Sequence, residues 1–177
     1  MKKDYKKKII FSEPLIPNKQ AINLYSRAIK DNFPNEGYYT RLFEKKISKL
    51  LKVKYVISCT SGTIAIFLGL KALEVKKEDE ILVPNITFPA TLNAISLSGA
   101  KPVLVDVDKS NLLMDVEDIK RKINKKTIAI LPVHVSGRGS NIERIIEIAK
   151  KKNLVVIEDA AEAFMSSIKN KFLGTYG

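Results

Sequence analysis

The sequence predicts an α/β fold built around a parallel β-sheet. After residue 52, short apolar runs of strand length alternate regularly with segments of helical spacing. The last of these runs, Leu154 to Ile157, consists of four branched apolar residues followed by acids, and such a run is typical of a fully buried parallel strand. Five strand units alternating with helices indicate parallel strands joined by right-handed crossovers.

The predicted elements follow in chain order. Residues 1–20 are polar and contain prolines, which predicts an extended N-terminal arm. Helical spacing of apolar residues predicts helices at 20–32 and 37–51. Beyond them, strands are predicted at 53–58, 80–84, 102–106, 127–133 and 154–158. The intervening helices are predicted at 62–73, 89–98, 115–123 and 140–152.

Composition excludes several classes of protein. The 177 residues are 45% hydrophobic, which suits one domain with a core, and no apolar run approaches the length of about 18 residues that a membrane span needs. The formal net charge is +12, but only five of the 31 basic residues are arginine and the lysine clusters lack interleaved aromatics. We therefore expect neither a nucleic-acid partner nor a membrane partner. A single cysteine excludes an internal disulfide and favours a reducing cytoplasm.

Candidate site residues follow the predicted strands directly. Ligands of parallel sheets bind beyond the carboxyl ends of the strands. The residues directly after each strand are therefore the candidates for ligand binding. They are residues 58–63, 85–88, 106–108, 134–137 and 158–162.

The segment Thr60-Ser61-Gly62-Thr63 follows a predicted strand and opens a predicted helix. Small residues let backbone N–H groups approach an anion, and a helix N-terminus carries positive partial charge, so the segment suits a phosphate group. Ser61 or Thr63 could add a hydroxyl. The alternative is an ordinary Ser/Thr N-cap beside a glycine. The segment is neither a P-loop nor a G-x-G-x-x-G motif.

Phe88 and Asp159 are the aromatic and acidic candidates. Phe88 could stack on a flat ring, although its position alone favours a core phenylalanine that caps the sheet. Asp159 could stabilise a cation such as a protonated pyridine nitrogen, while a helix N-cap and a solvated acid are equal alternatives. Glu158 is expected to be structural or solvated. His134 is the only histidine, and without a cluster of ligands at suitable spacing it predicts packing or hydrogen bonding rather than a metal site.

Five segments, taken in order, resemble a known family. They are SGTIAIFLGLKAL, EDEILVPNITFPATLNAISLSGAKPVLVDVD, LPVHVSGRG, IAKKKNLVVIEDAAEAF and KFLGTYG. The sequence from about Pro14 to Gly177 resembles the DegT/DnrJ/EryC1/StrS family of aminotransferases, which use pyridoxal 5′-phosphate (PLP) and act on nucleotide-linked keto-sugars. The resemblance implies that residues 21–177 are part of the large domain of a PLP-dependent transferase of fold type I, a parallel-rich sheet with helices on both faces.

The resemblance also implies roles for individual residues. Gly62 and Thr63, with Ser61 beside them, match the positions that hold the PLP phosphate. Phe88 matches the aromatic residue that stacks on the pyridine ring. Asp159 matches the acid that pairs with the pyridinium nitrogen. An acid at that place keeps the nitrogen protonated, which makes the ring a stronger electron sink.

Two segments depart from the common family pattern. Glu162 falls where many members have a glutamine that contacts the phenolic oxygen of PLP, and an ionised glutamate would repel a phenolate unless a proton is shared. In this respect the sequence is similar to a branch that includes GDP-perosamine synthases, which aminate GDP-4-keto-6-deoxymannose. The segment HVSGRGSN replaces the commoner HLYG form, so substrate contacts near Ser136 to Arg138 stay unassigned.

A third departure concerns the lysine that forms the Schiff base with PLP. In the family it lies shortly downstream of the GTYG segment, and none of the 26 lysines occupies the matching place. Lys169 and Lys171 match ordinary loop positions. We therefore expect the sequence to be the first half of an enzyme, without its small C-terminal domain and inactive alone.

For the complete protein, the resemblance implies a homodimer that transfers an amino group, with glutamate the expected donor, to a nucleotide-linked keto-sugar. Such reactions serve the biosynthesis of surface polysaccharides or amino sugars. Two alternatives stay open. One is a PLP-dependent sugar dehydratase of the same fold, in which a histidine takes the place of the lysine. The other is a non-catalytic fragment or binding subunit.

Overall fold

The computed structural model describes residues 18–30 and 36–177. The predicted N-terminal arm, residues 1–20, lies almost entirely outside the described residues. The chain divides into two compact units, residues 1–45 and 46–177. In the first unit, helix α1 (Lys19–Lys30) begins after Asn18, whose side-chain oxygen accepts hydrogen bonds from the N–H groups of Gln20 and Ala21. Helix α2 (Tyr38–Leu51) begins in this unit, and both predicted helices are confirmed.

The second unit contains a parallel sheet, as predicted, but the sheet has four strands and not the five that the sequence predicted. The strand order is β2-β1-β3-β4. The strands are β1 (Glu80–Pro84), β2 (Lys101–Val105), β3 (Thr127–Ile130) and β4 (Val155–Val156). The helices are α3 (Gly62–Ala72), α4 (Pro89–Ser98), α5 (Val116–Lys122) and α6 (Ile142–Lys152), and a 3₁₀ turn spans Val135–Gly137.

Helices cover both faces of the sheet. Alternate residues of one strand point to opposite faces, and the core divides accordingly. Leu82 and Ile130 pack with apolar residues of α5 and α6, including Ile119 and Ile145. On the other face, Ile81 and Val83 are in a second buried cluster, which includes residues of α3 and α4 such as Leu70 and Ile95. This arrangement explains why the strands read as continuous apolar runs in the sequence.

One predicted strand and one interpretation of a candidate site residue are wrong. Residues 53–58 form no strand: Tyr55 and Ile57 are 75% and 80% exposed, and a strand needs hydrogen-bonded neighbours that the described part of the chain does not place beside them. The alanine-rich segment after Asp159 forms turns rather than a helix, so the interpretation of Asp159 as a helix N-cap is wrong. A short antiparallel hairpin, β5 (Ser167–Ile168) and β6 (Lys171–Phe172), was not anticipated.

The strand order determines where a ligand can bind. From β1 the chain crosses to β2 on one side and later returns to β3 on the other, so the connections leave in opposite directions at the boundary between β1 and β3. In open α/β sheets, a crevice forms at such a switch point, outside the carboxyl ends of the strands. The segments that follow β1 and β3 therefore border the expected site. Within the described residues, no helix is long and apolar enough to cross a membrane.

Candidate functional site

Two cavities with shared walls lie at the carboxyl ends of the strands. The larger has a volume of about 510 Å³ and is lined by Gly62, Thr63, Phe88, Asp159 and Glu162, among others. The smaller, of about 260 Å³, shares the last three of these residues and adds residues that follow β1 and β3. We call the two together the strand-end cavity. It brings together five of the six residues predicted to form a site.

The start of α3 forms one wall of this cavity. Ser61 is the N-cap of the helix, and its Oγ accepts a hydrogen bond of 3.3 Å from the N–H of Ile64. The N-cap interpretation of Ser61 is thus confirmed, and its hydroxyl is already used within the helix. The first N–H groups of a helix have no intrahelical partner. Those of Gly62 and Thr63 belong to this first turn, and a Cβ placed on Gly62 would meet no atom within 4 Å, so the helix start has free space beside it.

Phe88 forms part of both cavity walls. It is the residue before Pro89, the first residue of α4, and its side chain is 75% exposed. The interpretation of Phe88 as a core residue that caps the sheet is therefore wrong. An aromatic face held at a helix start, with most of its surface free, can stack on a flat ligand.

Asp159 is held at the centre of the site by backbone and side-chain contacts. Its N–H donates to Pro132 O (2.9 Å) and its carbonyl accepts from the N–H of His134 (3.0 Å), which extends the pairing between β3 and β4 by one bridge. The residue is 9% exposed. Its Oδ2 accepts from Thr91 Oγ1 (2.7 Å) and its Oδ1 from the N–H of Ala161 (3.2 Å). The solvated-acid interpretation of Asp159 is therefore wrong.

Glu162 reaches the turn that follows β3. Its Oε2 accepts a hydrogen bond of 2.6 Å from the N–H of Ser136, a residue with a left-handed backbone (φ 53°). Gly137 packs against the same segment, because a Cβ there would lie 3.1 Å from Ser166 Oγ and 3.4 Å from Glu162 O. The unusual HVSGRG segment and Glu162 thus contact each other, a relation that their separation in the sequence concealed.

Glu158, which is among the residues that line the larger cavity, forms a buried pair with His134. The His134 ring is fully buried, and its Nε2 lies 2.9 Å from Glu158 Oε2. His134 Nδ1 accepts from the N–H of Ser140, so Nε2 carries the proton and donates to Glu158. The hydrogen-bonding role predicted for His134 is confirmed.

Glu158 is structural rather than solvated, since its side chain is 2% exposed. Its carboxylate also accepts hydrogen bonds from the N–H groups of Gly174, Tyr176 and Gly177. Burial alone would raise the pKa of Glu158, but the bonds from His134 and from these three N–H groups outweigh it and lower the pKa below its ordinary value of 4.5.

Other candidates lie apart from the cavity. The side chain of Asp106 accepts from the N–H of Val107, and that of Asp108 from the N–H and hydroxyl of Ser110. Neither aspartate lines the strand-end cavity. Thr91, by contrast, contacts Asp159 and was not predicted as a site residue. Its four-residue spacing from Thr87 at a helix start was the signal that could have found it.

Comparisons with known proteins identify the family of the chain. A family model for the DegT/DnrJ/EryC1/StrS aminotransferases matches residues 17–177. The chain belongs to this family. Solved aminotransferases superpose on nearly the whole chain, which confirms the fold type that the resemblance implied.

Individual members of the DegT family are similar over much of the chain. GDP-perosamine synthase of Escherichia coli O157:H7 is 44% identical over 143 residues, which cover 81% of this chain and 39% of that protein. The aminotransferase of Psychrobacter cryohalolentis has a TM-score of 0.86 at 31% identity, covering 93% of this chain and 42% of that one. The E. coli GDP-4-keto-6-deoxy-D-mannose-3-dehydratase, solved with bound hydrated PLP, has a TM-score of 0.85 at 26% identity and coverages of 93% and 44%. The chain thus spans about two fifths of the length of the relatives it matches.

Proposed function

We propose that this chain supplies the phosphate- and ring-binding side of the PLP site of a DegT-family aminotransferase. The observation that carries the proposal is the strand-end cavity, which is lined by a helix start, an exposed aromatic ring and a buried aspartate. These are the three groups that a phosphorylated pyridine needs at its phosphate, its face and its nitrogen. Membership of the family and the PLP bound in the similar dehydratase support the same assignment.

The residues present fit PLP in their chemistry. At the start of α3, the N–H groups of Gly62 and Thr63 and the hydroxyl of Thr63 suit a dianionic phosphate, and the free space beside Gly62 leaves room for it. Phe88 offers its face to the ring. Asp159 offers carboxylate lone pairs to a protonated ring nitrogen. When bound, PLP supplies an electron sink for the carbon that loses a proton during amino transfer.

Glu162 is assigned to the same site. The residue lines both parts of the strand-end cavity, and one of its oxygens is occupied by the N–H of Ser136. We expect its other oxygen to share a proton with the phenolic oxygen of PLP, so that the two oxygens do not repel each other. Glu162 thereby also fixes the 136–137 turn at the edge of the cavity.

For the complete protein, we propose transfer of an amino group from an amino acid, glutamate being the expected donor, to a nucleotide-linked keto-sugar. The 44% identity to a GDP-perosamine synthase makes a GDP-linked keto-sugar the first substrate to test. We expect a homodimer in the cytoplasm, where the exposed thiol of Cys59 would stay reduced. Light scattering of the complete protein would test the dimer.

A sugar dehydratase is the second candidate, and the structural similarity to the E. coli dehydratase favours it. Both reactions use the same phosphate, ring and nitrogen contacts. The two are distinguished by products from a GDP-linked keto-sugar and glutamate: an amino sugar from the aminotransferase and a deoxygenated keto-sugar from the dehydratase.

Binding of pyridoxine 5′-phosphate to the purified chain tests the site. This compound keeps the ring and phosphate of PLP but lacks the aldehyde, so it cannot bond covalently to a lysine. We expect PLP and pyridoxine 5′-phosphate to bind with similar affinity in equilibrium dialysis, and pyridoxine without the phosphate to bind far more weakly. Equal binding of pyridoxine would contradict the phosphate assignment.

Two variants make the test specific. Asp159→Asn should weaken binding of pyridoxine 5′-phosphate by roughly tenfold or more, because it removes a charge-assisted hydrogen bond. Asp108→Asn changes an acid outside the cavity and is the matched control, for which we expect no change. Equal losses in both variants would show that the effect is general electrostatics rather than a ring contact.

A further inference from the structure

Thr91 lies buried beside Asp159. It belongs to the first turn of α4 and has no exposed surface. Its hydroxyl does not cap the helix, whose N-cap residue makes no side-chain hydrogen bond. Instead, Thr91 Oγ1 lies 2.7 Å from Oδ2 of Asp159, 68 positions along the chain. The hydroxyl of Thr91, at the start of a helix, thus forms a hydrogen bond with the carboxylate of Asp159, which lines the strand-end cavity.

The hydrogen bonds around Thr91 have a fixed direction. An ionised carboxylate only accepts hydrogen bonds, so the single hydroxyl hydrogen of Thr91 is donated to Asp159. Thr87 Oγ1 lies 2.9 Å from Thr91 Oγ1, and Thr87 must therefore be the donor to Thr91. Thr87, Thr91 and Asp159 form a chain in which each hydrogen bond strengthens the next.

The neighbouring carboxylates have other partners. Oε2 of Glu158 accepts hydrogen bonds from His134 and Gly174, and its Oε1 accepts from the N–H groups of Tyr176 and Gly177. One oxygen of Glu162 is bound by the N–H of Ser136. Asp159 is the acid of this group that receives a side-chain hydroxyl, and each of its oxygens has one assigned donor, which leaves lone pairs for a ligand.

We infer that Thr91 is a positioning residue for the ring nitrogen of PLP, with Thr87 as the second link. The inference rests on the proposed function and deepens it. A hydrogen bond donated to a carboxylate favours its ionised form. The bond from Thr91 therefore keeps the shared proton on the ring nitrogen rather than on Asp159, and it fixes the direction in which the carboxylate points.

The test uses the whole chain saturated with pyridoxine 5′-phosphate labelled with ¹⁵N in the ring. The ¹⁵N chemical shift separates a protonated from a neutral pyridine nitrogen, independently of any activity. In the unmodified chain, we expect the protonated form at neutral pH. In Thr91→Val, the ratio of protonated to neutral nitrogen should fall about tenfold, the equivalent of one hydrogen bond to a charged group.

Thr91→Ser keeps the hydroxyl and should restore the original shift, which a loss of packing alone would not do. Thr87→Val removes the donor to Thr91, changes only a half-buried residue and should move the shift in the same direction by less. It therefore tests the inference even if Thr91→Val does not fold.

The outcomes separate the two proposals. If the unmodified chain does not bind pyridoxine 5′-phosphate, the proposed function and this inference both fail. If it binds, but the ¹⁵N shift is the same in the unmodified chain, Thr91→Val and Thr87→Val, only the role of Thr91 is overturned and its hydroxyl is merely structural.

Discussion

Replacing Glu158 tests how the segment 174–177 is held. Its Oε1 accepts hydrogen bonds from the N–H groups of Tyr176 and Gly177, and its Oε2 from Gly174 and the buried ring of His134. Each oxygen thus faces two donors. In Glu158→Gln, the amide nitrogen must replace one oxygen and confront two N–H groups, whichever way the side chain is turned. Glutamine is therefore a disruptive substitution here, although its shape is the same.

The expected cost follows from these contacts. A buried donor left without an acceptor costs about 1–3 kcal/mol, and two donors lose their acceptor in Glu158→Gln. Gly174 and Gly177 are exposed, so water can compensate part of the loss at their N–H groups. We expect Glu158→Gln to lower the free energy of unfolding by about 2–3 kcal/mol, and Glu158→Ala by about 3–5 kcal/mol because it leaves the whole cluster without an acceptor.

Urea unfolding at several pH values is the assay. The pKa of Glu158 is lower in the folded chain than its ordinary value of 4.5, so its contribution to stability is fully present above the unfolded pKa and is lost as the pH falls through the folded pKa. The difference between the unmodified chain and Glu158→Gln should be constant above about pH 5 and should shrink at lower pH. Hydrogen exchange of the 174–177 amides should accelerate in the variant.

Glu147→Gln is the matched control, because it changes an exposed glutamate of α6. We expect no measurable loss of stability there. Equal stability of Glu158→Gln and Glu147→Gln, or equal exchange rates of the 174–177 amides in both variants, would show that Glu158 does not hold this segment.

Three further predictions concern the site and the sheet. Phe88→Ala should reduce the affinity for pyridoxine 5′-phosphate in dialysis by about tenfold, because stacking on the ring is lost. The unfolding curve of this variant should stay unchanged, because the Phe88 ring is exposed. Unchanged affinity would exclude ring stacking. Thr63→Val should weaken the same binding by roughly tenfold, with Thr63→Ser as the control that retains the hydroxyl; equal affinities would exclude a hydroxyl contact to phosphate. Burial would raise the pKa of Asp118, but hydrogen bonds from the N–H of Asp106, from Lys122 and from Arg121 lower it to about 2. The stabilising effect of the Asp118 carboxylate is present above its ordinary pKa of 3.8 and is lost as the pH falls towards 2. The free energy of unfolding of Asp118→Asn should therefore depend less on pH over that interval than that of the unmodified chain. An identical pH dependence in both would contradict this role.

The fold could be predicted where the local pattern determines the structure. Buried strands such as Glu80–Pro84 are apolar on both faces, and amphipathic helices such as Ile142–Lys152 follow them at regular intervals. The segment 53–58 has the same apolar character, but a strand also needs neighbours to pair with, and the sequence of the segment itself does not contain that information. The 167–172 hairpin is too short to show an alternation of apolar and polar residues.

The site could be predicted in its positions but not in its hydrogen bonds. The rule that ligands bind beyond strand ends selected Phe88 and Asp159, which line one cavity. Gly62 lines the same cavity, although the strand predicted before it, at residues 53–58, does not form. The partners of these residues come from distant parts of the chain, as Thr91 does for Asp159. The sequence separated Asp159, the candidate for a ring nitrogen, from Glu158, but it did not show that Glu158 pairs with His134 or that Asp159 accepts from Thr91.

A crystal structure of this chain with pyridoxine 5′-phosphate tests the central proposal most directly. The account predicts phosphate oxygens at hydrogen-bonding distance, about 2.7–3.2 Å, from the N–H groups of Gly62 and Thr63. It also predicts the ring against Phe88 and the ring nitrogen about 2.7–2.9 Å from a carboxylate oxygen of Asp159. A ligand bound outside the strand-end cavity, or bound in it with the ring nitrogen turned away from Asp159, would contradict the account.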